Sequence, residues 1–234
     1  MKKHPQFILA IDNTFFTCRD EFGERINHYD FQRFLQDVQS HLVVREREHL
    51  EKNPAYRQLL PYAVIEQTDA DGITRLSSYR RTSGVGESRL AGNVSIGYGG
   101  HIDLQDVYID DKSVVGLQPT IFESMLRELT EEITLSREGV RLMEDEVHEV
   151  FKSHCKFRLF DKNFILDNAN EVGTVHVGLV FVFTLPPEFV IESREDELST
   201  MPLLTPHELH QLDAPKENWT QLILDEMMAQ AAAA

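Results

Sequence analysis

Apolar residues change their spacing several times along the chain, and each spacing predicts a different element. Continuous or alternating apolar runs predict β-strands near 7–11, 62–65, 73–81, 95–98, 149–159, 163–166 and 175–184. The first run is followed by a turn at Asp12-Asn13 and by Phe15–Thr17, which predicts a β-hairpin. A turn over Asp69–Gly72 predicts a second hairpin between 62–65 and 73–81.

Helical spacing marks the other segments. Phe31, Phe34 and Val38 predict a helix that starts near Asp30, and a polar helix is expected over Val44–Glu51. The strongest helical pattern covers 120–134, where Thr120 and Glu123 have the spacing of a capping box. Its apolar stripe consists of Phe122, Met125, Leu126, Leu129 and Ile133. Two more helices are expected at 206–212 and 218–229, the second packing on the sheet or on a second subunit.

This alternation of strands and helices predicts an α/β fold. We assign 1–58 to an N-terminal α/β extension of a hairpin and helices, 59–230 to the main domain, and 231–234 to a frayed tail. The formal net charge of −16 disfavours a broad duplex-binding face and an anionic membrane surface. Two isolated cysteines, Cys18 and Cys155, without zinc-ligand spacing suit a reducing cytoplasm, although a disulfide between them stays open. No apolar run has membrane-spanning length, and the run after the N-terminus is too short for a secretory signal.

Candidate chemistry is concentrated on the polar face of the 120–134 helix. Glu128, Glu131 and Glu132 are spaced i, i+3 and i+4, so their carboxylates are expected to converge and to repel one another unless a cation lies among them. Oxygen ligands of this kind suit Mg²⁺, with Mn²⁺ as the alternative. Arg127 is adjacent and can pair with one acid or brace a loop. The competing interpretation is a solvated acidic helix face.

A glycine pair precedes this helix. Gly99-Gly100 ends a predicted strand, where the missing side chains allow backbone groups to approach a metal or phosphate, although an ordinary tight turn is the alternative. Arg80 and Arg81 are candidate phosphate contacts, of which strand alternation permits only one to face the site. His101 is either a substrate contact or a capping or solvent-facing histidine, and a histidine within the last strand (His176) is expected to be a satisfied sheet residue.

These segments resemble the Nudix box. Gly100-His101-Ile102-Asp103 followed by Arg127-Glu128-Leu129-Thr130-Glu131-Glu132 is similar to the motif of that hydrolase family, and the resemblance extends over about 43–210, including the bacterial "predicted phosphoesterase" branch. It implies an α/β/α sandwich with a mixed sheet. It also implies that Glu131 and Glu132 are the principal metal ligands, that Glu128 is a further ligand or the base, that the Gly99 carbonyl faces the metal, and that Arg127 is structural. An additional acid is expected near Glu195 or Glu197.

The sequence also departs from the motif. Arg127 follows Gly100 by 27 positions, against 14 in the family pattern, which indicates an insertion of about 13 residues. Pro119 stands where the first glutamate is expected, Thr134 where a glycine is expected, and Tyr98 in place of the usual proline. An acid of the insertion could replace the missing glutamate, against the alternative of a solvated loop; the candidates are Asp103, Asp106, Asp110 and Asp111.

The resemblance implies a metal-dependent hydrolase that cleaves a phosphoanhydride bond in a nucleoside diphosphate linked to another group. The expected partners are a small nucleotide or diphosphate substrate, with a homodimer as a further expectation. A catalytically weak nucleotide sensor is the main alternative. An isopentenyl diphosphate isomerase-like activity ranks last, because 93–103 lacks the cysteine which that chemistry uses.

Overall fold

The computed structural model describes residues 5–82, 91–111, 114–194 and 198–233. The strands in those ranges are β1 (Phe7–Asp12), β2 (Ile26–Asn27), β3 (Leu42–Glu46), β4 (Tyr56–Thr68), β5 (Thr74–Leu76), β6 (Tyr79–Arg81), β7 (Val94–Ser95), β8 (Gly97–Tyr98), β9 (Ile133–Arg137), β10 (Val140–Arg141), β11 (Lys156–Ile165), β12 (His176–Thr184), β13 (Phe189–Ser193) and β14 (Leu198–Thr200). The α-helices are α1 (Thr14–Thr17), α2 (Phe31–Asp37), α3 (Arg47–Leu50), α4 (Leu117–Glu132), α5 (Glu144–Glu149), α6 (Glu171–Thr174), α7 (Pro206–Gln211) and α8 (Asn218–Ala233).

The chain forms two compact units. Unit 1 contains Met1–Tyr62, Gly99–Met125 and Phe160–Val180, and unit 2 contains Ala63–Tyr98, Leu126–Leu159 and Phe181–Ala234. Strands β4, β11 and β12 and helix α4 have residues in both units. The α/β class expected from the sequence is confirmed. The separate extension over 1–58 stays a prediction.

The sheet of unit 1 has the strand order β2-β11-β12-β4-β1-β3. Strand β1 pairs antiparallel with β3 on one side and β4 on the other, and its four central residues are all buried. Unit 1 also contains an aromatic cluster, with the Phe34 and Phe164 ring centroids 4.7 Å apart and the Phe22 and Tyr29 rings stacked. Large aromatic side chains bury enough apolar area to make this cluster a main stabilising element of unit 1.

Two predictions for the first 60 residues were wrong. The segment after Asp12 is helix α1 and not the second strand of a hairpin, because the Asp12 Oδ1 atom accepts hydrogen bonds from the Thr14 amide (2.9 Å) and hydroxyl (2.6 Å). The predicted polar helix over Val44–Glu51 is instead strand β3 followed by the single turn α3. Val43 and Val44 have branched side chains that favour a strand, and both pair with β1. This pairing outweighs the helical pattern that the sequence indicated. The helix near Asp30 is confirmed as α2, with the Asp30 side chain as its N-cap.

Unit 2 contains three small groups of paired strands. The end of β4 pairs with β5 and β8, while β14-β6-β7 and β10-β9-β13 form three-stranded sheets. The hairpin predicted around Gly72 is therefore correct for β4 and β5 as far as Leu76. Strand β6, which was predicted to continue it, pairs with β7 in another sheet. A loop predicted over Thr82–Asn93 from its glycines lies mostly outside the described residues. The β9–β10 hairpin was not predicted; its turn places Glu138 and Gly139 at φ 54° and 78°, which matches a primed hairpin turn.

The C-terminal half follows the sequence pattern more closely. Strand β12 and helices α7 and α8 are confirmed, whereas the expected strand over 149–159 begins as a π-helical turn, Val150–His154, before β11 starts. The apolar face predicted for α8 was Trp219, Leu222, Ile223 and Met227. The helix instead buries Thr220, Ile223 and Leu224, and the Thr220 hydroxyl accepts the Ile96 amide at 3.1 Å. Of the helices in the described ranges, none has both the length and the apolar character needed to cross a bilayer.

Candidate functional site

Helix α4 carries the candidate acidic residues and begins three residues earlier than predicted. Its inward face buries Ile121, Met125 and Leu129, whereas Phe122 is only half-buried. Thr120 lies inside the first turn and is fully buried, and its hydroxyl accepts the Tyr108 amide at 2.9 Å. The predicted Thr120–Glu123 capping box is therefore wrong, since the threonine oxygen is used in a tertiary contact.

The end of α4 brings Arg127 and two glutamates together. The Arg127 Nη1 atom lies 2.8 Å from Glu128 Oε1 and 3.2 Å from Glu131 Oε2. The Arg127 and Glu128 side chains are only 20% and 16% exposed, whereas Glu131 is 57% exposed. One guanidinium nitrogen thus holds two carboxylates against the helix, with the outer one accessible to solvent. The structural role that the resemblance implies for Arg127 stays a prediction.

The last carboxylate lies where the helix meets a strand. The chain passes directly from Glu132 into β9 at Ile133, so the glycine of the family pattern is not needed at Thr134, which pairs with Glu192 of β13. Arg194 completes the helix end: its amide donates to the Glu132 carbonyl at 2.7 Å and its guanidinium to the Thr130 carbonyl at 3.1 Å. The positive charge of the Arg194 guanidinium also interacts favourably with the dipole of α4, whose C-terminal end is partially negative.

The two candidate arginines of β6 differ in environment. Arg80 is exposed, whereas Arg81 is half-buried and forms an ion pair with Glu217. Burial lowers the pKa of Arg81, but the neighbouring Tyr79 oxygen and the carboxylates of Glu217 and Glu132 together raise it above its ordinary value. Arg81 is therefore a permanent cation close to the last carboxylate of α4. No sequence motif indicated that Glu217 would pair with Arg81.

The glycine pair and His101 belong to unit 1. Gly99 has φ 149°, and a Cβ atom there would lie 2.0 Å from the Pro61 carbonyl oxygen. A close backbone approach therefore requires glycine at this position. Gly100 and His101 are half-buried, and the buried Ser124 hydroxyl donates to the His101 carbonyl at 3.4 Å. The predicted metal and substrate contacts of these three residues stay predictions.

A group that the sequence did not indicate lies nearby in unit 1. Ligand atoms of Glu51, His101 and His176 all lie within 4.8 Å of one another, and the two Nε2 atoms are 3.4 Å apart. His176 is buried, as expected of a sheet histidine, and its Nδ1 atom contacts the Val172 carbonyl oxygen at 2.7 Å. The three residues are far apart in sequence, so no local spacing could have connected them.

The acids of the insertion have structural partners. Asp103 and Asp106 form a reciprocal capping box on the short 3-10 helix Leu104–Asp106, and Asp110 accepts the Val114 amide at 2.9 Å. Whether one of these acids replaces the missing glutamate or the acids belong to a solvated loop stays a prediction. Glu195 and Glu197 lie outside the described residues. Both cysteines are free thiols; Cys18 is exposed, and burial raises the pKa of the half-buried Cys155 to about 12.

Comparisons with known proteins support the fold. No family model matches the sequence. The chain is 29% identical over 177 residues to Protein YmaB of Bacillus subtilis (strain 168), covering 75% of this chain and 73% of that protein.

Solved structures extend the comparison. The "Crystal structure of Tm1382, a putative Nudix hydrolase" has a TM-score of 0.65 and 20% identity, covering 96% of this chain and 99% of that one. A Nudix hydrolase from Alicyclobacillus acidocaldarius has a TM-score of only 0.44 and 15% identity, covering 74% of this chain and 91% of that one, and carries no weight. The likeness to Tm1382 confirms the resemblance at the level of architecture: this chain has a Nudix-type α/β fold.

Proposed function

We propose that this chain is a Nudix-type hydrolase that uses Mg²⁺ or Mn²⁺ to cleave a phosphoanhydride bond in a nucleoside diphosphate linked to another moiety. The observation that carries the proposal is the end of α4, where Arg127 bridges Glu128 and the exposed Glu131. The Nudix-type fold supports it, because the same helix carries the Arg-Glu-x-x-Glu-Glu residues of the family motif.

The donor atoms at this helix end fit a hard divalent cation. Glu128, Glu131 and Glu132 offer carboxylate oxygens, which Mg²⁺ prefers, and the resemblance adds the Gly99 carbonyl. When bound, the ion would supply positive charge for a diphosphate and would lower the pKa of a coordinated water. Both effects are what hydrolysis of a phosphoanhydride needs at neutral pH.

The side chains have different parts in this proposal. Arg127 is a positioning residue, because its guanidinium restrains two carboxylates that would otherwise repel each other. Glu131 is exposed and can reach a substrate, whereas Glu128 is restrained enough to accept a proton from an attacking water at a fixed distance. Arg81 supplies a fixed positive charge near Glu132 for an anionic phosphate. Arg80, exposed on the same strand, is the weaker candidate.

The net charge of −16 favours a small diphosphate over duplex nucleic acid as the ligand. Gly100 is proposed as a substrate contact, whereas the Nε2 atom of His101 lies 3.4 Å from His176 Nε2 and is not used as one here. A cytoplasmic location and a homodimer also belong to the proposal, and size-exclusion chromatography with light scattering tests the dimer.

The test is a screen of dinucleotides, nucleoside diphosphate sugars and nucleoside triphosphates with Mg²⁺ or Mn²⁺, followed by product analysis. On a confirmed substrate, Glu131→Gln and Glu132→Gln should each lower turnover by about a hundredfold or more, since each removes one metal-ligating charge. Glu123→Gln is the matched control, because Glu123 is exposed two turns earlier on α4. Its turnover should remain within about twofold of the unchanged protein.

Two results would contradict the proposal. Unchanged turnover in both Glu131→Gln and Glu132→Gln would remove α4 from the reaction. Nucleotide binding by the unchanged protein without any hydrolysis would establish the sensor alternative instead. Circular dichroism of each variant separates a loss of activity from a loss of folding.

A further inference from the structure

We propose that Glu51, His101 and His176 form a binding site for a divalent transition-metal ion of the Zn²⁺ type, one that uses none of the α4 glutamates. We call these three residues the histidine site. All three belong to unit 1, and their ligand atoms lie within 4.8 Å of one another. They come from the end of α3, the loop after β8 and the first residue of β12.

The spacing of the two histidines fits coordination of one ion. Zn²⁺ binds imidazole nitrogen at about 2.0–2.1 Å, so two nitrogens at a tetrahedral angle lie roughly 3.4 Å apart. The His101 and His176 Nε2 atoms are 3.4 Å apart. A direct N–H hydrogen bond is usually about 2.9–3.0 Å long. The observed distance therefore suits two ligands of one ion better than one hydrogen bond.

The tautomer of His176 is fixed by its backbone partner. Its Nδ1 atom lies 2.7 Å from the Val172 carbonyl oxygen. Because a carbonyl oxygen only accepts, Nδ1 must carry the proton, and the Nε2 atom of the neutral ring then presents a lone pair. A carbonyl that receives the second ring N–H is the usual outer partner of a metal-bound histidine.

The backbone around His176 is held firmly. The side chain of Asn170 accepts the Gly173 amide at 2.8 Å and so caps α6, which contains Val172. Buried Arg57 donates to the carbonyl oxygens of Gly173 (2.9 Å) and His176 (3.0 Å). A ligand on a restrained backbone loses little conformational entropy when it binds an ion.

The carboxylate of Glu51 is likewise oriented. Arg47 Nε lies 3.1 Å from Glu51 Oε1, and Arg47 Nη1 donates to Gln6 at 3.2 Å. Gln6 in turn donates to Asp103 at 2.7 Å. This chain of contacts fixes one carboxylate oxygen and leaves the second available as a ligand.

The donor set determines which ion is expected. Two neutral imidazoles and one carboxylate form a three-ligand set that leaves a coordination position for water, as in open zinc sites. Imidazole suits Zn²⁺, Cu²⁺, Ni²⁺ and Fe²⁺, whereas Mg²⁺ prefers oxygen. The histidine site should therefore prefer transition-metal ions such as Zn²⁺, whereas the α4 carboxylates should prefer Mg²⁺.

Cobalt is the probe for this site. Full-length protein, first treated with a chelator, is titrated with Co²⁺ and monitored by visible absorption, and the bound Co²⁺ is then displaced with Zn²⁺. The same titration is made on the double variant Glu131→Gln/Glu132→Gln, which removes two α4 carboxylates. We expect one Co²⁺ per chain with the intense visible bands of a low-coordinate nitrogen and oxygen site, in both proteins.

Substitutions then locate the ion. Glu51→Gln and His101→Ala should each weaken Zn²⁺ binding at least tenfold, whereas the exposed controls Glu48→Gln and His154→Ala should leave it within twofold. Absence of the cobalt bands in the unchanged protein, or equal loss in Glu48→Gln and Glu51→Gln, would overturn the proposal. Because Glu51 is exposed, Glu51→Gln provides a test even if a histidine variant fails to fold. Hydrolysis is not the readout, so failure here leaves the proposed hydrolase untouched.

Discussion

The end of α4 and the histidine site are two different ways of assembling ligands. On α4, the acids lie within two turns of one helix and offer only oxygen, with a guanidinium already between two of them. In the histidine site, two nitrogens and one oxygen come from three distant segments, and one of the imidazoles is buried with its tautomer fixed.

This difference affects which ions each group of ligands prefers and whether the group can be recognised from the sequence. Clustered carboxylates favour hard ions that exchange with solvent, whereas imidazoles on restrained backbone favour borderline ions that stay bound. The first arrangement is visible in a sequence because helical periodicity brings i, i+3 and i+4 together. The second depends on the pairing of β1, β3, β4 and β12, which no local pattern specifies.

The largest effect is expected from Arg57, which holds the backbone of the histidine site. Arg57 is buried, burial lowers its pKa, and it donates to four neutral acceptors: the side chains of Asn13 and Asn168 and the carbonyls of Gly173 and His176. Arg57→Met leaves these acceptors unsatisfied and should lower the free energy of unfolding by about 3 kcal/mol in urea titrations. The control is Arg45→Met, because Arg45 is an exposed residue of β3. This change should alter the free energy of unfolding by less than about 0.5 kcal/mol. Equal unfolding midpoints would contradict this role.

A smaller effect is expected from Arg127, which contacts the α4 carboxylates of Glu128 and Glu131. Arg127→Gln removes the shared guanidinium and should lower turnover ten- to hundredfold, the range typical of a partner that orients metal ligands. Cobalt binding at the histidine site should not change. The control is Arg137→Gln, an exposed arginine on β9. A parallel loss of turnover and cobalt binding would show that the two groups are not independent.

Arg194 tests how the end of α4 is held. Arg194→Met removes the hydrogen bond to the Thr130 carbonyl and the ion pair with Glu144, but keeps the backbone bond to Glu132. We expect a loss of about 1 kcal/mol in stability, measured by thermal unfolding, because one charged cap is lost from a half-exposed site. If Tm and turnover are both unchanged, the hydrogen bond from the Arg194 amide to the Glu132 carbonyl is sufficient to hold the end of α4.

The smallest effect concerns the thiols, which neither group of ligands uses. With its pKa raised to about 12, Cys155 is almost entirely protonated at pH 8, so iodoacetamide should modify exposed Cys18 much faster. Between pH 8 and pH 10 the alkylation rate of Cys155 should rise about tenfold per pH unit, because the thiolate fraction grows by that factor below the pKa, although the thiol is still mostly protonated at pH 10. Mass spectrometry of the alkylated protein provides the measurement. Protection of Cys18 by Zn²⁺ would show that a thiol belongs to a metal site.

The sequence predicted those features whose causes are local. The periodicity of α4, the apolar run of β12 and the start of α2 near Asp30 were all recognisable, because each depends on residues within a few positions of one another. The contact between Arg127 and its glutamates follows from the same local geometry.

Long-range contacts account for the wrong predictions. Thr120 looked like a cap, but its hydroxyl accepts an amide from the preceding loop. The first hairpin was expected because the true partner of β1, strand β3, lies about 30 residues further on. Glu217 and Glu51 were missed since each acquires its partners only through tertiary contacts.

The direct junction between α4 and β9 limits where the chain can change length. No residue separates Glu132 from Ile133, and the register of Ile133 with Ser193 holds the strand in place. One residue added at this junction would turn the helix by about 100° relative to the strand and carry the carboxylates to another side. Among the described residues ahead of Leu117, no strand runs directly into the helix, and an isolated bridge joins Ile109 to Val115. Insertions and deletions among relatives should therefore accumulate ahead of this helix and be absent from the point where it joins the strand.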